Sequence, residues 1–149
     1  MASFYVSEGD RVSFSKTVSE SDVYLFAGVT WDLAPVHVQQ ALMERSAYGQ
    51  RIAHGALIVG FMSTTSSLMV EQAKDSHTKG ETPVSLGYDR VRFTGAVLFG
   101  DTVTVDYVIT GVDEVKRRST AAINVTNQRG ETVAVATHIL KWVKPDGKD

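Results

Sequence analysis

The stretch GALIVGFMSTTSSLMV, Gly55 to Val70, decides the fold. It is the most apolar run in the chain, sixteen residues long, with five consecutive hydroxyl residues from Ser63 to Ser67. A membrane-spanning helix needs about 20 mostly apolar residues, so this run reads as a buried helix, extending over roughly His54 to Gln72. A helix that is apolar almost all round is stable in water only when other elements wrap it. Its serines and threonines can return their hydrogen bonds to helix carbonyls.

The wrapping material follows in the second half. VSLGYDRVRFTGAV, DTVTVDYVITGV, RSTAAINVTNQ and TVAVATHILKWV are rich in Val, Ile, Thr and aromatic residues, and turn-like LFGD, DEVK and NQRG separate them. Such a succession predicts an antiparallel meander. Upstream, RVSFSKTVS alternates as a half-buried strand does. SESD offers caps for a short helix, VYLFAGVT, ending around Gly28. A second short helix is predicted from about Pro35 to Arg45, and Lys74 to Pro83 reads as a polar surface loop containing His77. The order is strand, helical section, four strands: a single α+β domain over residues 1–149, one antiparallel β-sheet wrapped around a long central α-helix. Unpaired sheet edges predict a homodimer or higher homo-oligomer.

Bulk properties narrow the function. A net charge of −2 over 149 residues gives no electrostatic reason to expect nucleic acid or an anionic membrane as partner. The absence of cysteine excludes disulfides, thiolate nucleophiles and cysteine zinc sites. Four histidines without clustered carboxylates or an H-x-x-H pattern predict no metal. The N-terminus lacks the basic start and apolar block of a signal peptide, so a cytoplasmic location is expected.

Two places can carry chemistry. In TWDLAPVHVQQ, Thr30 to Gln40, Asp32 and His37 stand five residues apart. In a continuous helix that spacing leaves the side chains roughly 140° apart. Pro35 disfavours helical geometry at Ala34 and suits the first position of a new helix, so Asp32 falls in the preceding loop and His37 in the first turn. The bend can bring both to one opening. Spacing alone favours the plainer reading, with Asp32 as a helix cap and His37 as an exposed polar residue. In RIAHGALIVG, His54 and Gly55 sit where the long helix begins. Its first N–H groups lack helical partners and carry the positive end of the macrodipole, which suits a carbonyl gaining negative charge. Gly55 would let a ligand approach, or would simply permit close helix–strand packing. His138, in the last strand, is expected to face solvent or a neighbouring chain. Arg90 and Arg92, in GYDRVRF, could share a face towards a phosphate or form a solvated edge.

With both places identified, the chain resembles the MaoC-like dehydratases, the group containing the (R)-specific enoyl-CoA hydratases, which have the hot-dog fold. The pattern S/T-G-D-x-N-P-hydrophobic-H is matched by TWDLAPVH, and the later H-G by GQRIAHG. A third feature, F-x-x-P-V-x-x-G-D-T, is matched by FTGAVLFGDTV, Phe93 to Val103. The resemblance implies Asp32 and His37 as the catalytic pair, the Gly55 N–H as oxyanion hole, and Ser63 supporting the aspartate, with His54 beside them. Trp31 departs from the usual glycine, Ala34 from the asparagine, and HVQQALM lacks the small residue six positions after the histidine.

The implied reaction is reversible addition of water to a trans-2-enoyl thioester, giving a 3-hydroxyacyl thioester, with no cofactor. The partner is an acyl-CoA or acyl-carrier thioester, and the resemblance places the site at a dimer interface. Two alternatives stand beside it. A hot-dog thioesterase would need a carboxylate on the central helix, where Glu71 lies at the far end. A non-catalytic acyl-thioester-binding or heterodimer subunit would have no need of both Asp32 and His37.

Overall fold

A computed structural model describes residues 4–73 and 80–147 of the chain; His77 of the polar loop lies outside the described residues. Strand β1 (Arg11–Thr17) leads to helix α1 (Glu20–Thr30), two single turns α2 (Pro35–Val38) and α3 (Gln40–Met43), and the long helix α4 (Gly55–Gln72). Strands β2 (Thr82–Phe93), β3 (Thr102–Asp113), β4 (Arg118–Thr126) and β5 (Thr132–Val143) follow. The strands form one antiparallel five-stranded sheet in the order β1-β3-β4-β5-β2, so the expected α+β sheet-and-helix architecture is observed.

The meander is only partly as expected. β3, β4 and β5 are consecutive neighbours, but β2 lies at the opposite edge, paired with β5. Both sides of β3 are already taken, by β1 and β4, so β2 finds its free partner on β5. The chain must then cross from the β2 edge of the sheet to β3, one strand in from the opposite edge, through residues 94–101, and this crossing becomes a wall of the site described below.

Strand alternation supplies the core. Val103, Val105, Tyr107 and Ile109 of β3 are buried, as are Ala121, Ile123 and Val125 of β4, and they form one cluster with Ile58, Phe61, Met62 and Met69 of α4. Each fully buried side chain of this size contributes about 1.5–3 kcal/mol. The outer face is polar, with Arg11 paired to Asp106 and hydroxyl pairs Ser15–Thr104 and Thr17–Thr102. The helix is not covered all round. Ala56, Gly60, Ser63, Ser67 and Glu71 form an exposed row, because one sheet layer meets a helix along one side only. As expected, Thr65 donates to the Met62 carbonyl at 2.6 Å and Ser66 to that of Ser63 at 2.8 Å. No helix among the described residues is long and apolar enough to cross a membrane.

Three local expectations are corrected. Helix α1 runs through Gly28 to Thr30 and ends where Trp31 adopts a left-handed conformation, φ 62°. The Pro35–Arg45 helix is interrupted at Gln39 because the Val36 carbonyl accepts from Ile52 N–H, which draws it away from helical bonding. His138 faces neither solvent nor a neighbour. It shares the inward face of β5 with Ala136, Leu140 and Trp142 and is wholly buried, its ring nitrogens bonded to Tyr107 and Ser85 hydroxyls, each at 2.8 Å. Burial holds its pKa down to about 4 and pushes the Tyr107 and Tyr88 hydroxyls up.

In β2 a bulge between Asp89 and Arg92, with Arg90 at φ 51°, breaks the alternation of GYDRVRF. Arg90 and Arg92 are both exposed, as the solvated-edge reading has it. The strand then delivers Phe93 to the start of α4.

Candidate functional site

The geometry around Asp32 begins with the end of α1. Trp31 N–H bonds the Ala27 carbonyl at 2.8 Å, and the left-handed turn at Trp31 swings Asp32 out of the helix. That conformation is costly for a residue with a Cβ, which accounts for glycine as the usual residue of the pattern. Ala34, at φ −54° and ψ 137°, has the extended geometry that a following proline imposes, and Pro35 opens α2 as expected. Asp32 is exposed; its Oδ1 accepts from Ala34 N–H at 3.3 Å, so it closes the loop and does not cap α2.

His37 is half-buried. Its Nδ1 lies 2.7 Å from the Ile52 carbonyl, which can only accept, so Nδ1 carries the proton and a neutral ring has its lone pair on Nε2. The same segment is held by Ile52 N–H to Val36 O at 3.0 Å and by a bridge between Ile52 and Leu98 of the crossing. His54 lies beneath, 1% exposed, its ring stacked on that of His37 at 3.7 Å between centroids. Its Nε2 donates to the Asp32 main-chain carbonyl at 2.9 Å, leaving Nδ1 buried without a partner among the described residues. His54 therefore ties the Asp32 loop to the beginning of α4. Potential ligand atoms of Asp32, His37 and His54 lie within 4.8 Å of one another. The two imidazoles are only 25° from parallel, however, so their in-plane lone pairs run side by side and do not converge as metal ligands do.

His37 and Gly55 line the same pocket, about 350 Å³ in volume. Ile52, Ile58 and Val133 make it apolar, residues 94–97 of the crossing form one wall, and Tyr48 and Phe93 complete it. Gly55 is the first residue of α4, whose N-cap, His54, makes no side-chain capping bond. Leu57 N–H bonds the His54 carbonyl at 3.1 Å, which leaves the Gly55 and Ala56 N–H groups to a ligand or to solvent. A Cβ on Gly55 would stand 2.6 Å from the Phe93 ring, so close packing against β2 is one reason for the glycine. The other reading, ligand approach, is compatible with it.

Asp32, His37, His54 and Gly55 are brought together; Ser63 is not. It lies two turns further along α4, beside Tyr88, and lines a different pocket with Ser67 and Glu71. Nothing among the described residues links it to Asp32. The Ile52 carbonyl was not foreseeable, because a main-chain group leaves no mark in residue types. Asp101 was quoted only as part of GDT. It is buried and accepts from Leu98 N–H at 2.9 Å and Gln128 at 2.7 Å, with Arg129 nearby, so it pins the end of the crossing. Burial opposes its ionisation, but these donors outweigh that and hold its pKa below the ordinary value.

Comparison with known proteins bears on the family and the fold. The family pattern described as MaoC like domain matches residues 6–132. A Rhodospirillum rubrum protein named (R)-specific enoyl-CoA hydratase is 35% identical over 108 residues, 72% of this chain and 68% of its own. One of the same name from Aeromonas caviae is 26% identical over 89% of this chain and 92% of its own. The solved (R)-hydratase of A. caviae superposes with a TM-score of 0.78 at 24% identity, covering 91% of this chain and 96% of its own. The sheet order, the helix it holds and a family pattern spanning most of the sequence lead to one assignment: the chain belongs to the MaoC-like domain family and has the hot-dog fold.

Proposed function

We propose that the protein hydrates a trans-2-enoyl thioester reversibly to the 3-hydroxyacyl thioester, with coenzyme A or an acyl carrier as the handle. The observation that carries this is the forced tautomer of His37. With Nδ1 committed to the Ile52 carbonyl, Nε2 is the basic nitrogen at a pocket that also contains the N-terminus of α4. A water oxygen bonds to C3 as Nε2, or the Asp32 carboxylate beside it, takes a water proton. The electron pair of the C2–C3 double bond moves towards the thioester carbonyl, and C2 then receives a proton from the same pair. Between those events the carbonyl oxygen bears negative charge, and the Gly55 N–H at the positive end of α4 is its partner. Positioned acid–base groups contribute about 10²–10⁴-fold, and one oxyanion donor about 2.7–4 kcal/mol. No metal or redox group enters the balance of this reaction. The apolar lining of Ile52, Ile58 and Val133 suits the acyl chain.

The rival hydrolytic reading draws no support from the geometry, since Glu71 belongs to a separate pocket from His37 and Gly55. In this reading the chain works as a homo-oligomer, joined through exposed sheet edge and the uncovered side of α4. The test follows the loss of enoyl-thioester absorbance over a panel of enoyl-CoAs with the purified chain. Turnover that His37→Gln and Asp32→Asn each abolish, without loss of fold, supports the proposal. No turnover of any panel member, or release of free thiol instead, defeats it.

A further inference from the structure

Arg51 sits beside the site without lining its pocket, yet it has the densest set of side-chain contacts near it. Its side chain is 15% exposed. Nε donates to Gln40 Oε1 at 3.1 Å, Nη2 to Glu20 Oε2 at 3.1 Å, and Nη1 to the Tyr24 hydroxyl. The guanidinium also lies over the Phe99 ring at 4.7 Å and the Tyr24 ring at 5.5 Å. These contacts reach three separate parts of the chain. Glu20 and Tyr24 belong to α1, which ends at Trp31; Gln40 opens α3, just beyond His37; Phe99 belongs to the crossing. Arg51 therefore holds both flanks of the segment carrying Asp32 and His37.

The residue after it completes the connection. The Ile52 carbonyl accepts a hydrogen bond from His37 Nδ1–H, and the Ile52 N–H donates to the Val36 carbonyl. The Ile52 carbonyl is held directly by main-chain bonds, Ile52 N–H to Val36 O at 3.0 Å and Ala53 N–H to Val97 O at 2.8 Å, and the guanidinium of Arg51, the preceding residue, ties α1, α3 and Phe99 around them.

We infer that Arg51 is a positioning residue, whose guanidinium, by holding α1, α3 and Phe99 around the Arg51–Ile52 main chain, keeps the Ile52 carbonyl in place and through it the orientation and tautomer of His37. This rests on the reading of His37 as acid–base group only for its effect on rate; the effect on tautomer is independent of any substrate. A planar fork with several donors is needed to reach Gln40, Glu20 and Tyr24 together, so lysine, a point charge on a flexible stem, does not replace it.

The experiment measures the ring ¹⁵N shifts of His37 by NMR and, in parallel, kcat and KM for a short enoyl-CoA. The variants are Arg51→Met, Arg51→Lys and Gln40→Ala, the last cutting one guanidinium contact, that of Nε, together with the exposed Gln40–Glu44 bond, and serving if Arg51→Met does not fold. Wild type is expected to show the Nδ1–H tautomer alone. The Arg51 variants are expected to show a mixture of tautomers, with kcat lowered about 10–10²-fold and KM changed less, as a displacement near 1 Å would produce. Gln40→Ala is expected to move the same readouts in the same direction by less. A purely Nδ1–H His37 with unchanged kcat in folded Arg51→Met, or in Gln40→Ala if that is the folded variant, overturns the inference, even if the melting temperature falls. If wild type turns over no substrate but the tautomer shifts as described, the hydratase reading fails and the positioning role stands.

Discussion

Acid titration of the buried His138 tests the core of this structure quantitatively. The ring is enclosed between Tyr107 and Ser85, with Tyr88 packed against it at 4.6 Å. Burial brings its pKa from 6.5 down to about 4. The native state therefore keeps the ring neutral where the unfolded chain has already bound a proton. For a depressed pKa of this kind, stability is full above the unfolded value and falls as the pH drops from about 6.5 towards 4, levelling below that. From those two values, the loss between about pH 7 and pH 4.5 is roughly 2–3 kcal/mol. His138→Gln removes the titration while leaving an amide to face the two hydroxyls. Urea unfolding at a series of pH values, followed by the fluorescence of buried Trp142, gives the stability of each protein. Whatever the variant loses at neutral pH is set aside, because only the slope is compared. Wild type should lose about 2–3 kcal/mol more than His138→Gln between those pH values. Parallel curves would show that His138 is accessible to protons in the native state and would refute the reasoning.

Other predictions address the site. Asp32→Asn and His37→Gln should each lower hydration of a short enoyl-CoA by about 10²–10⁴-fold with an unchanged circular dichroism spectrum; activity within a few-fold of wild type would remove them from the chemistry. The two roles of Gly55 can be separated once Phe93 is trimmed. Phe93→Ala/Gly55→Ala keeps the N–H, whereas Phe93→Ala/Gly55→Pro removes it at a position where helices accept proline, and His54 at ψ 133° has the geometry that a following proline requires. The proline variant should have a kcat about 10²–10³-fold below its alanine counterpart, and equal rates would dismiss the oxyanion role. Trp31→Gly should raise stability by up to about 1 kcal/mol in thermal unfolding, since Trp31 is 82% exposed and left-handed. Added freedom of glycine in the unfolded chain offsets part of that gain. A lowered melting temperature would mean that the exposed indole makes stabilising contacts.

Much of the architecture was legible in residue order because it depends on local periodicity. GALIVGFMSTTSSLMV was too short and too hydroxylated to span a membrane and too apolar to stand alone, and the alternation in DTVTVDYVITGV marks one face of β3 for the core. Pro35 was legible for a related reason: it constrains the backbone of Ala34 and itself whatever surrounds them. Where local signals compete with distant hydrogen bonds, the distant ones decided. The helix predicted from Pro35 to Arg45 is split because Ile52, remote in sequence, takes the Val36 carbonyl. His138 was misplaced because the polarity of an imidazole suggests exposure, while strand period puts it inward and Tyr107 and Ser85 satisfy it there.

By itself, then, the sequence determined the sheet-and-helix class, the position of α4, the bend after Asp32 and the candidate set Asp32, His37, His54 and Gly55. Only the tertiary structure decided that β2 pairs with β5, that the crossing of residues 94–101 walls the pocket, that His37 carries its proton on Nδ1, and that Ser63 stands apart. Strand pairing, main-chain acceptors and ring stacking join residues that lie far apart along the chain. Periodicity and capping act over a few residues and cannot specify which distant groups will meet.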